Sequence, residues 1–271
     1  MTTYTIASDF HQNAAALKYL FEKYHDTQII LLGDFFDTHG STQMADAKTM
    51  AETIVTCYQN AKIKPWLVRG DHDDFIVGTA AGKHKSLSTW RLNNGKKTLK
   101  ELGYHGGFNS INNIADFLNT AYPELIAILK QSHFIIAKPN IIFVHGGLNW
   151  SKSDPISDTS HSDAMWLREK YIYGSIYNWL NSYTSFASFW KHPPYHRNTT
   201  EKTIVSGHTP TFNIDSNADG NPLTLHNARD PKNINRYLID GGSSYRYSIA
   251  HVNIVQFNEQ GQLINQEAYT N

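Results

Sequence analysis

Six short apolar runs, each stopped by a polar group able to bind a metal or move a proton, constrain this chain more than any other feature. They read Tyr4-Thr5-Ile6-Ala7-Ser8, Gln28-Ile29-Ile30-Leu31-Leu32, Pro65-Trp66-Leu67-Val68, Ile141-Ile142-Phe143-Val144, Thr203-Ile204-Val205-Ser206 and Tyr237-Leu238-Ile239. Short β-rich runs of this kind fit buried strands. Between the first two, Leu17, Leu20, Phe21 and Tyr24 recur at helical spacing and predict an amphipathic helix from about Asn13 to Tyr24. A second helix is expected from about Met44 to Asn60. Strand, helix, strand, helix, strand is the βαβ pattern, so the N-terminal part is expected to form a largely parallel sheet flanked by helices. Near the C-terminus, Ala250 to Phe257, an Asn258-Glu259-Gln260-Gly261 turn and Leu263 to Tyr269 predict an antiparallel hairpin. The segment from Ile76 to Leu129 reads mostly helical, and the aromatic-dense stretch from Tyr171 to Tyr195 is expected to cap the sheet. No repeat or long linker divides the chain, which predicts one α/β domain over residues 1–271 with a helical, aromatic cap region around 150–200.

The groups that follow the runs are Asp9-Phe10-His11, Gly33-Asp34-Phe35-Phe36-Asp37, Gly70-Asp71-His72-Asp73, His145-Gly146-Gly147, Gly207-His208-Thr209 and Asp240-Gly241-Gly242. Ligands of α/β sheets bind beyond the carboxyl ends of the strands, so a parallel arrangement gathers these groups on one rim. Carboxylates mixed with imidazoles and without thiolates suit Mn, Fe or Zn at a hydrolytic site. Asp9, Asp34 and Asp71 with His11, His145 and His208 are six ligand candidates, too many for one metal with an open position but suited to two metals sharing a carboxylate. Such a pair, about 3.5–4 Å apart, can hold a hydroxide and clamp both oxygens of an in-line phosphoryl displacement.

Composition excludes other classes. A chain that is 40% hydrophobic and 18% charged folds around a sizeable core. Its 24 Lys+Arg balance 24 Asp+Glu, which argues against binding nucleic acid or anionic lipid by bulk charge. The single Cys57 permits no intrachain disulfide and no Cys-based zinc site, and reads as a small buried hydrophobe of the second helix. No secretion signal is legible and no apolar run approaches the roughly 20 residues that span a bilayer, so a soluble cytoplasmic protein without membrane partners is expected. Nothing in the sequence points to an oligomeric state. Asp215-x-Asn217-x-Asp219-Gly220 imitates an EF-hand start, but Pro222 interrupts it and His226 stands where a Glu is needed, so it reads as a polar loop.

In order and spacing, Asp9-x-His11, Gly33-Asp34-x-x-Asp37-Thr38, Gly70-Asp71-His72-Asp73, His145-Gly146-Gly147 and Gly207-His208 resemble D-x-H, G-D-x-x-D-R-G, G-N-H-E, H-G-G and G-H. Those are signatures of the metallophosphoesterase superfamily and, within it, of the phosphoprotein phosphatase family, especially its bacterial serine/threonine phosphatase-like branch. Leu67-Val68-Arg69, Trp90 to Leu99 and Trp166-Leu167-Arg168-Glu169 are weaker matches to bacterial members. The resemblance implies a calcineurin-like α/β fold, a four-layer β-sandwich flanked by helices with two metals at its rim. It implies that Asp9, His11 and Asp34 bind one metal and that Asp34, Asp71, His145 and His208 bind the other, with Mn expected and Fe or Zn as alternatives. His72 matches the general acid and Asp37 the carboxylate that orients it; Arg168 falls at a phosphate-contacting arginine, and Arg69 or His39 are further substrate-binding candidates.

Two positions depart from the family pattern: Thr38 stands for its arginine and Asp71 for its metal-ligating asparagine. The pocket is then about two charges less positive than the pattern implies, which disfavours a phosphomonoester dianion more than a singly charged diester. The implied activity is a metal-dependent phosphatase using a metal-bound hydroxide, acting on a phosphoprotein or a small phosphoester. A diadenosine tetraphosphate hydrolase or phosphodiesterase is the nearest alternative, disfavoured by His145-Gly146-Gly147 and Gly207-His208-Thr209 where that hydrolase group carries H-A-G and a Trp after G-H. A degenerate, metal-containing binding module is a third reading, against which all the metal ligands and His72 are retained.

Overall fold

The apolar runs become the strands of two sheets. The computed structural model describes residues 2–38, 46–174, 195–226, 234–245 and 251–270. Along the chain run β1 (Tyr4–Ala7), α1 (Ala14–Lys23), β2 (Gln28–Leu31), α2 (Ala47–Asn60), β3 (Trp66–Leu67), α3 (Asp71–Ala80), α4 (His84–Leu92), α5 (Gly95–Glu101), α6 (Ile111–Ala121), α7 (Pro123–Lys130), β4 (Ile135–Ala137), β5 (Ile141–Val144), α8 (Pro155–Asp158), α9 (His161–Trp166), α10 (Glu169–Tyr173), β6 (Thr203–Ser206), β7 (Leu223–Leu225), β8 (Arg236–Leu238), β9 (Val252–Phe257) and β10 (Leu263–Tyr269).

One sheet has the order β10-β9-β1-β2-β3 and the other β4-β5-β6-β8-β7. Strands β1, β2 and β3 are parallel, as are β5, β6 and β8. The expectation of a largely parallel N-terminal sheet needs one correction: the C-terminal hairpin returns to it, and β9 pairs antiparallel with β1 from Tyr4↔Phe257 to Ala7↔Ile254. The edge strands β4 and β7 were not expected; each has three residues and pairs antiparallel with its neighbour.

Side-chain alternation builds the layers. Ile6, Ile30, Leu32, Val68, Ile141, Phe143, Val205 and Val255 meet between the sheets. Their neighbours Ala7, Ile29, Leu31 and Leu67 face helices that supply Leu17, Met50, Ile76 and Ile114. On the far side Ile142, Val144, Ile204 and Leu238 pack with Ala164, Leu167 and Tyr171. The result is a four-layer α/β/β/α sandwich, and burial on both faces explains why the strands read as continuous apolar runs rather than as alternating ones.

Helix starts follow capping chemistry. Asn13 accepts from the Ala16 amide ahead of α1. Asp46 accepts from the Thr49 amide and caps α2 at Ala47; the expected start at Met44 lies outside the described residues. Cys57 is half-buried rather than fully enclosed, and burial pushes its thiol up to about 11. The Asp215 side chain caps a single 3-10 turn, Ser216–Ala218, in keeping with a polar loop. Of the aromatic stretch, residues 175–194 lie outside the described residues. Among the described residues no helix is long and apolar enough to cross a membrane.

Candidate metal centre

The loops leaving β1, β2, β5 and β6 converge where the two sheets meet. They do so through backbone that few side chains tolerate: Asp9, His11, Asp34, Asp37 and His208 have φ of 53°, 41°, 55°, 64° and 66°. Left-handed backbone at non-glycine residues costs free energy, and it turns these side chains back over the strand ends. Two glycines allow the loops to touch: a Cβ at Gly33, φ +89°, would lie 2.2 Å from the Gly70 amide, and one at Gly70 would lie 2.1 Å from Asp34 Oδ1.

Asp73 joins these loops. Its Oδ2 accepts from the Asp34 and Gly70 amides at 3.0 and 3.1 Å, and Oδ1 from the Phe35 amide at 3.2 Å. Burial, with Asp34 close by, raises its carboxyl to about 7. Asp9 is held likewise, accepting from Ser8 Oγ at 2.5 Å and from the His208 amide at 3.0 Å. Asp240, the polar group after β8, is buried; burial first and Asp9 second raise its carboxyl well above the usual range.

Two buried groups of ligand atoms result, and both contain Asp34: Asp34, Asp71, His145 and His208 form one, and Asp9, His11 and Asp34 the other. Within the first, His145 Nε2 lies 3.3 Å from Asp34 Oδ2 and 3.4 Å from Asp71 Oδ1, and His208 Nδ1 lies 3.0 Å from Asp71 Oδ1. In the second, His11 Nε2 is 3.9 Å from both Asp9 Oδ1 and Asp34 Oδ2.

Backbone carbonyls set the tautomers. His145 Nδ1 donates to the Leu32 carbonyl at 2.6 Å, and His11 Nδ1 to the Asp37 carbonyl at 2.7 Å. In their neutral forms both rings therefore turn an Nε2 lone pair toward carboxylate oxygens. Lone pairs facing lone pairs in a buried site repel unless a cation lies between them, and a carbonyl partner on the second nitrogen is how metal-bound imidazoles are oriented. His208 Nε2 is buried without a hydrogen-bond partner among the described residues. By donor type, tautomer and burial these residues fit divalent metals. The same crowding shifts protonation: burial and Asp71 oppose its charge, but His145 and His72 hold the Asp34 carboxyl down to about 2.

Beside Asp71, His72 Nδ1 donates to Asp37 Oδ2 at 2.8 Å. Burial works against its charge, yet Asp34 and the Asp37 bond outweigh burial and push the imidazole up to about 10. Asp37 also accepts from Trp90 Nε1, at 2.8 Å to Oδ2, and from Thr98 Oγ1. Trp90 and Thr98 were not singled out as site residues, although both lie in the stretch from Trp90 to Leu99 that resembles bacterial phosphatases.

The substrate-binding candidates separate. Arg168 sits against the cluster, with Nη1 donating to the His208 carbonyl at 2.5 Å and Nη2 3.4 Å from His208 Nδ1. The Arg69 guanidinium is engaged by Ser132 Oγ, the Leu129 and Lys130 carbonyls and Asp74. Arg69 thus closes the end of α7, and this arrangement leaves no support for a phosphate contact. His39 lies outside the described residues. Beside Thr38 stands Lys97, whose Nζ donates to Thr38 Oγ1 at 2.8 Å and pairs with Glu101 Oε1 at 2.9 Å.

Comparison with known proteins gives this geometry its context. No curated protein matches the chain. A protein serine/threonine phosphatase from Saccharomyces cerevisiae superposes with a TM-score of 0.51 at 11% identity, covering 99% of this chain and 79% of that one. A metallophosphoesterase from Sphaerobacter thermophilus gives 0.48 at 17% identity, covering 99% and 89%. A cold-active protein-tyrosine phosphatase from a psychrophilic Shewanella gives 0.47 at 15%, covering 99% and 80%. At these identities the likeness is one of fold. The family model described as calcineurin-like phosphoesterase matches residues 2–242, which take in β1 to β8 and every loop of the cluster, and the chain belongs to that family.

Proposed function

We propose that this chain is a dinuclear, metal-dependent phosphoester hydrolase with the machinery of a serine/threonine phosphatase. One observation carries the reading: Asp34 belongs to both groups of ligand atoms, and the His72–Asp37 pair stands directly beside them. Asp9, His11 and Asp34 would hold one ion and Asp34, Asp71, His145 and His208 the other. When bound, two divalent ions, Mn in the first instance, supply an activated water and offset the charge that builds on the phosphoryl oxygens.

The chain's own residues do the rest. Arg168, held half-buried by the His208 carbonyl, presents its guanidinium to a phosphate oxygen. Asp37 takes the Nδ1 proton of His72 in a hydrogen bond, so the ring's second proton, on Nε2, serves the leaving oxygen. As the oxygen of water bonds to phosphorus, the ester P–O bond breaks and the leaving oxygen takes the His72 proton, giving an alcohol and inorganic phosphate. The water's proton restores the imidazolium. The substrate is a phosphorylated side chain of a protein or a small phosphoester, met in the cytoplasm.

A panel of phosphopeptides, aryl phosphates, phosphodiesters and dinucleoside polyphosphates, assayed with Mn, tests this. Hydrolysis of monoesters that disappears in His72→Asn while two metals stay bound supports the reading. Preference for dinucleoside polyphosphates or diesters would replace the substrate class, and an inactive wild type holding two metals would make the protein a binding module.

A further inference from the structure

An aromatic edge links the His72 ring to His208, whose carbonyl holds Arg168. The His72 ring lies 5.4 Å from Phe75, Phe75 lies 5.7 Å from Trp166, and Trp166 stands edge-on to His208 at 5.8 Å. His72, Phe75 and His208 are 7%, 4% and 3% exposed, whereas Trp166 is 40% exposed, so Trp166 is the member of the series that faces solvent. It is one of four large hydrophobic residues left exposed among the described residues, and it stands two positions before Arg168. A half-exposed indole at the end of α9 satisfies no core requirement, because Ala164 and Met165 already bury the inward side of that helix.

We infer that Trp166 is a specificity-determining residue and that the site prefers aryl phosphomonoesters, such as phenolic phosphates, over alkyl ones. The inference rests on the phosphoesterase reading above and narrows its substrate class. With phosphate held at Arg168 and the ester oxygen turned toward His72, the leaving group extends past that oxygen on the His72 side, where Phe75 and, 5.7 Å from it, Trp166 stand. A planar ring attached directly to the ester oxygen packs face or edge against the indole, where a short alkyl chain has little to offer it. Hydrolysis then breaks the aryl O–P bond, water supplies the new oxygen on phosphorus, and the phenolic oxygen takes the His72 proton.

Calorimetric binding of phenylphosphonate and ethylphosphonate to the Mn-loaded protein, combined with kcat/KM for phenyl and ethyl phosphate, tests the assignment. Wild type is expected to bind phenylphosphonate about five- to tenfold more tightly. Trp166→Leu should erase that difference and lower the phenyl-to-ethyl ratio of kcat/KM by the same factor, mainly through KM, whereas Trp166→Phe should keep most of it. Equal binding of the two phosphonates by wild type, or a ratio that survives in Trp166→Leu, overturns the inference and returns the site to alkyl esters of the phosphoserine kind. A Mn-loaded wild type that binds neither phosphonate and hydrolyses neither ester overturns the phosphoesterase reading, and this inference with it.

Discussion

Asp37 receives three side-chain donors, His72 Nδ1, Trp90 Nε1 and Thr98 Oγ1, inside a shell that excludes water. A carboxylate so fully hydrogen-bonded is fixed in place, and it fixes the His72 ring, the proposed proton donor. Asp37→Asn should lower kcat about 100-fold for ethyl phosphate and much less for p-nitrophenyl phosphate, whose leaving group needs no proton, with metal content unchanged. Equal losses on both substrates would remove His72 from its role as acid. Asp71 makes a second residue-scale prediction, because it places a carboxylate where the family pattern has an asparagine. Asp71→Asn should raise the ratio of p-nitrophenyl phosphate to bis-p-nitrophenyl phosphate hydrolysis, since a dianion gains more than a monoanion from one charge removed. An unchanged ratio would mean that charge at this position does not select the ester. Lys97 leaves this deficit largely in place, because Glu101 shares its ammonium.

At the scale of elements, each parallel strand delivers one motif, and that is why so much of the site was legible. Asp9, Asp34, His145 and His208 each follow an apolar run by no more than two residues, so recognising the runs located the ligand candidates that the structure brings together. What was not legible came from elements whose placement no local pattern records. Trp90 and Thr98 reach Asp37 from α4 and α5, and their spacing fits a helix interior as well as a site. The β9–β10 hairpin was visible as a hairpin, but its pairing with β1 is a contact between chain ends and leaves no periodic trace. Arg69 shows the opposite: it adjoins a motif, yet its guanidinium bonds the carbonyls at the end of α7, which adjacency in sequence does not record. Arg236 was not singled out in the sequence at all. It is fully buried on β8, stacked 4.8 Å from the Tyr171 ring, and it donates to the Tyr171, Ile172 and His196 carbonyls. Those bonds tie down α10, whose N-cap is Arg168. Arg236→Met should therefore cost about 2 kcal/mol in urea unfolding, since the His196 carbonyl loses this donor while the Tyr171 and Ile172 carbonyls keep Trp150 Nε1 and the His196 amide, and should raise KM more than it lowers kcat. A stability loss with KM unchanged would confine Arg236 to the fold.

Across the whole molecule, buried carboxylates and imidazoles from both sheets meet at one point, and taking so many ionisable groups out of water is a standing cost to the sandwich. Metal that binds the folded chain alone offsets that cost. The melting temperature should climb with Mn concentration, by about 2.7 kcal/mol of added stability at a hundredfold excess over Kd, and EDTA should reverse it. The balanced net charge acts at the same scale, since a chain without net charge provides no long-range attraction for an anionic substrate. The measurement that bears most directly on the account is metal content together with turnover in wild type and His72→Asn. The predicted result is two Mn per chain in both proteins, with ethyl phosphate hydrolysis in the wild type and its near-complete loss in the variant; one metal or none in an active wild type would contradict it.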